Sequence, residues 1–169
     1  MTNTVQLVES GNPILKTELP RFDFSNPPIN PVELYNQVGK ALIAYNGLGL
    51  AANQLGYPYR MFVIKSDPIQ GFFNPIIVDQ SDEQIEMEEG CLSYPGLILK
   101  IKRPQVIKVR YADPTGVVQT KKYQDLTARI IQHEIDHLNG VVFGSKVSRL
   151  QLERAIKKSN KNYIIGDLI

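Results

Sequence analysis

The sequence contains one cysteine, two histidines and no apolar run long enough to cross a membrane. A single cysteine excludes an internal disulfide and fits a protein of a reducing compartment. The polar beginning at Met1 lacks the profile of a signal peptide, so we expect a cytoplasmic protein without a membrane partner. The net charge of +2, from 19 basic and 17 acidic residues, is too small to indicate a DNA partner.

What the chain does have is enough apolar material for one core, since 43% of its 169 residues are hydrophobic. We expect a single domain over residues 1–169, in which residues 145–169 form a basic C-terminal helix and tail. Asn30 and Pro31 are typical of a helix start, and short β-favouring runs follow at 61–64, 75–78, 105–111 and 117–123. Helices are predicted over 125–139, with Asp125 as the N-cap, and over 145–159. This order predicts an α+β fold with short antiparallel strands and hairpins packed around a central helix.

That central helix carries both histidines in an HExxH motif at residues 133–137. Residues four apart share one helix face, so His133 and His137 can reach one metal ion. The intervening Glu134 is offset by about one residue's rotation, which places its carboxylate where it can accept a proton from water. The helix is apolar over much of its circumference, so we expect the metal to lie inside a cleft.

A catalytic metal site needs a third protein ligand and an open position for water. Cys91 is the leading candidate, because residues 86–96 are turn-like and acidic and do not resemble the apolar surroundings of a structural cysteine. Glu88 and Glu89 are alternatives, as in proteases with a His₂Glu site. The composition of the segment does not choose among the three.

Three segments resemble the peptide deformylase family. Residues 47–54 match its GxGxAAxQ pattern, residues 89–93 match its EGCLS segment, and residues 132–140 match QHExDHLxG. Their order and spacing also agree, and the resemblance spans residues 10–145. The resemblance implies removal of the formyl group from N-formylmethionyl peptides in the maturation of nascent proteins, with release of formate.

The resemblance also implies roles for individual residues. Cys91, His133 and His137 would bind a divalent metal, ferrous iron by preference, with zinc, nickel or cobalt able to substitute. Glu134 would be the general base and acid. The side-chain amide of Gln54 and the backbone N–H of Leu92 would donate to the oxyanion, and Gly49 would contact the substrate backbone.

The methionine side chain of such a substrate needs an apolar pocket beside the metal. Leu48 and Ile130 are the expected lining, since Ile130 lies one turn before the motif on the same helix face. For Leu126 a place in the core is the stronger expectation. Arg103 is expected to be a solvated surface residue, with a cation beside the substrate groove or behind the metal ligands as the alternative.

The C-terminal helix is strongly basic, with six positive side chains and one negative between residues 145 and 161. A solvated positive face is the usual meaning of such a run. Val147, Leu150 and Ile156 are expected to pack on the body of the protein. The functional alternative is attraction to ribosomal RNA, which the family resemblance allows.

Overall fold

The computed structural model describes residues 6–169 and contains two antiparallel sheets and four α-helices within that range. Helix α1 spans Pro31–Ala44, helix α2 spans Asp125–Leu138, helix α3 spans Arg149–Ser159 and helix α4 spans Ile165–Leu168. The strands are β1 Gly49–Ala51, β2 Met61–Ile64, β3 Gln70–Gln80, β4 Gln84–Cys91, β5 Tyr94–Pro104, β6 Val106–Ala112 and β7 Val118–Gln124. No helix among these residues is both long and apolar enough to span a membrane.

The larger sheet has the order β1-β2-β3-β6-β7 and is covered by a helix on each face. The side chains of β2 alternate between the two faces of this sheet, because successive side chains of a strand point to opposite sides. Phe62 and Ile64 join the core cluster that includes the apolar face of α2. Met61 and Val63 join the cluster on the α1 side. The α+β class with a central helix, predicted from the sequence, is confirmed.

Helix α1 forms where its local signals place it. The Asn30 side chain accepts a hydrogen bond from the Glu33 backbone N–H at 3.0 Å, and Pro31 occupies the first turn, where it loses no helical hydrogen bond. Asn46 follows the helix with a φ of 52°, which turns the chain toward β1. Helix α2 also lies where predicted, although Gln124 is its N-cap and Asp125 is its first helical residue.

Strands β4 and β5 form a separate hairpin, which was not predicted from the sequence. Glutamates on β4 disfavour a strand in isolation, but Glu86 lies opposite Lys102 and Glu88 opposite Lys100 in the register. Buried and exposed side chains alternate along β5, so one face of the hairpin faces the core. Within residues 86–96, which were predicted to be turn-like, only the link between Cys91 and Tyr94 is a turn. Strands β3 and β5 have 11 residues each and are longer than the short strands that were predicted.

The C-terminal region packs beneath this hairpin. Helix α3 begins at Arg149, after a Ser148 cap, and not at residue 145 as predicted. Its buried anchor is Leu152, which is 1% exposed, whereas Leu150, expected to pack on the body, is 57% exposed. Leu168 of α4 is also fully buried in the same cluster.

Candidate metal centre and substrate cavity

Two separate elements supply the predicted metal ligands. Helix α2 presents His133 and His137 from adjacent turns, and Cys91 is the last residue of β4. A register shift between Glu89 and Cys91 interrupts the hairpin pairing at this point. Such an irregularity re-aims a side chain relative to the regular strand.

The structure brings these three side chains together. Their ligand atoms all lie within 4.8 Å of one another, and the Cys91 Sγ lies 3.2 Å from the His137 Nε2. A tetrahedral ion with bonds of about 2.0–2.3 Å separates its ligand atoms by roughly 3.5 Å. One thiolate and two imidazoles form a donor set that divalent first-row metals accept. The residues therefore fit a catalytic divalent metal with room for one further ligand.

Charge in the cluster also suits a cation. Burial lowers the pKa of His137 well below its usual value, which keeps the imidazole neutral as a metal ligand requires. Burial likewise acts to lower the pKa of His133, but its contacts with Cys91 and Glu89 raise that pKa to about 10. Cys91 and Glu89 therefore favour positive charge next to His133, and a metal ion bound there would have to displace a proton from its ring.

Glu134 lies beside the ligands and is 4% exposed. Burial raises its pKa to about 7, which suits a group that accepts and then returns a proton near neutral pH. Its Oε2 atom is buried and has no hydrogen-bond partner among residues 6–169. A buried carboxylate oxygen without a partner is unusual in a folded protein, and it fits a position that meets water or substrate.

Gln54 reaches the cluster from the short 3₁₀ helix Ala52–Leu55. Its Oε1 accepts a hydrogen bond from the Ala51 backbone N–H at 2.9 Å, which fixes the orientation of the amide. Its Nε2 donates to the Ser93 Oγ at 3.0 Å and lies 3.5 Å from the Cys91 Sγ. One of the two amide hydrogens is thus directed to Ser93 and the other to the Cys91 sulfur, so donation to a ligand would replace only the weak bond to sulfur. Ser93 has no predicted role, because its link to Gln54 appears only once the hairpin is folded.

A cavity of about 410 Å³ opens beside the cluster. The predicted residues Leu48, Gly49, Leu92 and Ile130 line it, together with Gln54, His133 and Glu134. Leu126 also lines it and is 48% exposed, so its expected place in the core is wrong. The β5 segment at residues 95–98 forms a further apolar wall.

The acidic residues near Cys91 have different surroundings. Glu88 is exposed at the cavity, whereas Glu89 is 5% exposed and accepts hydrogen bonds from His133, Arg103 and Arg129. Burial opposes the ionisation of Glu89, yet hydrogen bonds from His133 and Arg103 hold the pKa of its carboxyl well below the usual range. Arg103 is itself 5% exposed, so its predicted place on the solvated surface is wrong. The sequence pattern missed this because Arg103 follows two exposed lysines, Lys100 and Lys102, along β5.

Comparison with known proteins agrees with this geometry. A family model described as polypeptide deformylase matches residues 4–153. A peptide deformylase of Brucella suis biovar 1 is 45% identical over 121 residues, which cover 68% of this chain and 69% of that protein. A peptide deformylase from the Wolbachia of Brugia malayi is 41% identical over 143 residues, which cover 76% of this chain and 80% of that protein.

Solved structures give the same result across the full length of the chain. The crystal structure of a peptide deformylase from Synechococcus elongatus in complex with actinonin has a TM-score of 0.90 and 31% identity, covering 100% of this chain and 92% of that one. A Plasmodium falciparum peptide deformylase has a TM-score of 0.83 and 30% identity, and the match covers 92% of this chain and 93% of that one. By sequence and by fold, this chain belongs to the peptide deformylase family.

Proposed function

We propose that this enzyme hydrolyses the formyl amide of N-formylmethionyl peptides and releases formate during the maturation of nascent proteins. The observation that carries the proposal is the arrangement of Cys91, His133 and His137 beside Glu134 and Gln54, next to a largely apolar cavity. The proposal places the enzyme in the cytoplasm, where new polypeptides emerge.

Cys91, His133 and His137 hold the metal in this proposal. When bound, the metal acts as a Lewis acid that activates water for attack on the formyl carbon. We propose ferrous iron as the resident ion, in line with the family resemblance, with zinc, nickel or cobalt able to substitute at the same sulfur and nitrogen donors.

Glu134 transfers the protons in the proposed reaction. Its unpartnered Oε2 accepts a proton from the attacking water, and the same carboxyl then delivers a proton to the leaving amine. Burial keeps the two protonation states close in free energy near neutral pH, because it raises the pKa of this carboxyl to about 7. Both halves of the proton transfer are therefore accessible to one residue.

Gln54 and Leu92 stabilise the negative charge that develops on the formyl oxygen. Ala51 and Ser93 hold the amide of Gln54, so its second N–H, which faces the Cys91 Sγ, is already directed toward the metal site when the charge forms. The backbone N–H of Leu92 is the second donor in the proposal. The methionine side chain enters the cavity between Leu48 and Ile130, and Gly49 contacts the peptide backbone.

Product analysis separates this function from that of an HExxH metallopeptidase. With formyl-Met-Ala-Ser as substrate, we expect formate and intact Met-Ala-Ser as the only products. Unformylated Met-Ala-Ser should remain uncleaved under the same conditions. Cleavage of the Met-Ala bond, without formate, would instead assign the site to peptide hydrolysis.

Gly49→Ala tests the close approach of β1 to the general base. A Cβ at position 49 would collide with the Glu134 Oε1 and lie 2.8 Å from the Ile130 Cγ2. We expect kcat/KM to fall at least roughly tenfold, because the carboxylate and the pocket wall must both move. Metal content should be unchanged. Gly39→Ala is the matched control, since a Cβ there makes only ordinary contacts, at 3.6 Å with Ile69. Equal kcat/KM in both variants would contradict the proposed place of Gly49.

We also propose that the exposed basic face of the C-terminal region binds ribosomal RNA and holds the enzyme near emerging chains. Lys146 pairs with Asp136 and Arg149 with Glu153, which removes two of the six positive charges from the free surface. Arg154, Lys157, Lys158 and Lys161 are exposed and form no ion pair within the described part of the chain. Four unpaired cations on one segment suit contacts with phosphates.

Charge reversal tests this attraction better than truncation, because removing the C-terminal region would also remove the buried Leu152 and Leu168. Lys157→Glu/Lys158→Glu should pellet with ribosomes less than the parent does, and raised salt should release the parent steeply. Lys121→Glu/Lys122→Glu makes the same change in charge on exposed positions of β7. Equal pelleting of both double variants would show that α3 is only part of the scaffold.

A further inference from the structure

Arg129 is a buried cation on α2, one turn before His133, and is 3% exposed. Its Nη1 donates to the Glu89 Oε1 and to the Ile101 backbone carbonyl, each at 2.8 Å. Its Nη2 donates to the Ile85 backbone carbonyl. One guanidinium therefore connects α2 to both strands of the hairpin that carries Cys91.

Arg103 makes the reciprocal connection, from the hairpin to the helix. It lies on β5 and holds Glu89 through two hydrogen bonds, Nε to Oε1 at 2.6 Å and Nη2 to Oε2 at 2.9 Å. Its Nη1 donates to the Asp136 Oδ2 at 2.7 Å, next to His137 on α2. The hairpin and the helix are thus joined by two buried arginines that meet at one carboxylate.

That carboxylate has no capacity left for a metal ion. Glu89 accepts four hydrogen bonds, two from Arg103, one from Arg129 and one from the His133 Nδ1 at 2.9 Å. Four bonds use the acceptor sites of a carboxylate. The bond to Nδ1 leaves the His133 Nε2 as the atom available to a metal, so Glu89 acts on the histidine and not on the ion.

The metal ligands are divided between these same two elements, since Cys91 comes from the hairpin and the histidines come from α2. We propose that Arg129 and Glu89 are positioning residues for the metal. Glu89 orients His133, and Arg129 fixes the separation between Cys91 and the histidines before the metal binds. Stability alone is a weak reason for such a network, because the desolvation of buried charges offsets most of their attraction.

The proposal rests on the metal site of the proposed function, but its test measures metal binding and does not depend on deformylation. We would load the parent and variants with Co²⁺ and measure Kd by competition with a chelator, together with the thiolate-to-cobalt absorption band. Arg129→Leu is expected to weaken Co²⁺ binding about 10–100-fold, the usual effect of losing an outer partner of a metal ligand. Arg129→Lys should recover part of the affinity, because an ammonium keeps the charge but lacks the planar fork.

Two further variants keep the test decisive. Glu89→Gln preserves the size of the side chain and should weaken Co²⁺ binding to a similar extent, so a failure of Arg129→Leu to fold would not end the test. Arg110→Leu removes an exposed arginine from β6 and should leave Kd unchanged. At saturating Co²⁺, KM for the formyl peptide should stay close to that of the parent in both Arg129 variants.

Parent-like Kd values in Arg129→Lys and Glu89→Gln would overturn the proposal. A raised KM with an unchanged Kd would also overturn it, because Arg129 lines the cavity and would then act on the substrate. If the variants showed the expected changes in Co²⁺ Kd but the parent released no formate, the deformylase function would be refuted and the positioning role would remain. The two proposals can therefore fail separately.

Discussion

Glu134→Gln is expected to keep stoichiometric metal and to lower kcat by about 10²–10⁴-fold, the usual contribution of a general acid-base group. Glutamine has nearly the same shape and leaves Cys91, His133 and His137 in place, so the metal site should persist. It cannot accept a proton from water, so the attacking nucleophile is not formed efficiently. Formate release at saturating metal and metal content per chain are the two measurements.

The matched control is Glu86→Gln on β4, which makes the same chemical change at an exposed position opposite Lys102. This variant should retain parental kcat and metal content. Near-normal formate release by Glu134→Gln at saturating metal would eliminate Glu134 as the base. Loss of metal from Glu134→Gln would instead show that the carboxylate supports the ligand cluster.

Among single variants outside the two histidines, Cys91→Ala is expected to show the largest loss of metal affinity. Loss of an outer partner costs about 10–100-fold in affinity, so the loss of a direct ligand should exceed roughly 100-fold. The thiolate-to-cobalt absorption band should disappear, because Cys91 is the only cysteine in the sequence. Chelator competition and absorption spectroscopy of the Co²⁺ form measure the two effects.

Met87→Ala is the control for this change, since it truncates a side chain on the same strand outside the ligand cluster. It should retain the absorption band and bind Co²⁺ with nearly the parental Kd. If Cys91→Ala bound Co²⁺ as tightly as the parent, Cys91 would not be the third ligand. Glu88 would then be the remaining candidate, because the hydrogen bonds of Glu89 are directed to His133 and two arginines.

Local signals explain what the sequence predicted well. The cap at Asn30 and the histidine pair on α2 each depend on residues within a few positions of one another. Such signals do not depend on distant contacts, so α1, α2 and the candidate ligands on α2 could be predicted. The surroundings of Cys91 made it a candidate beside Glu88 and Glu89, and the motif resemblance chose Cys91 among them and added Gln54.

The hairpin β4–β5 could not be predicted, because its stability comes from partners that are distant in sequence. Glu86 and Glu88 oppose strand formation until Lys102 and Lys100 lie across from them. Arg103 follows two exposed lysines and shares their charge, yet Glu89 and Asp136 compensate for its burial. Only the folded chain reveals that the carboxylate at position 89 has its acceptor sites filled.

Single-turnover formate release during metal titration tests the central claim most directly. Metal-free protein, prepared without oxygen, is mixed with formyl-Met-Ala-Ser while Fe²⁺ or Co²⁺ is added in steps. The rate of formate release should rise in proportion to bound metal and stop increasing at one equivalent of metal per chain. Formate release without metal, or a metal-saturated protein that releases no formate, would contradict a metal-dependent deformylase.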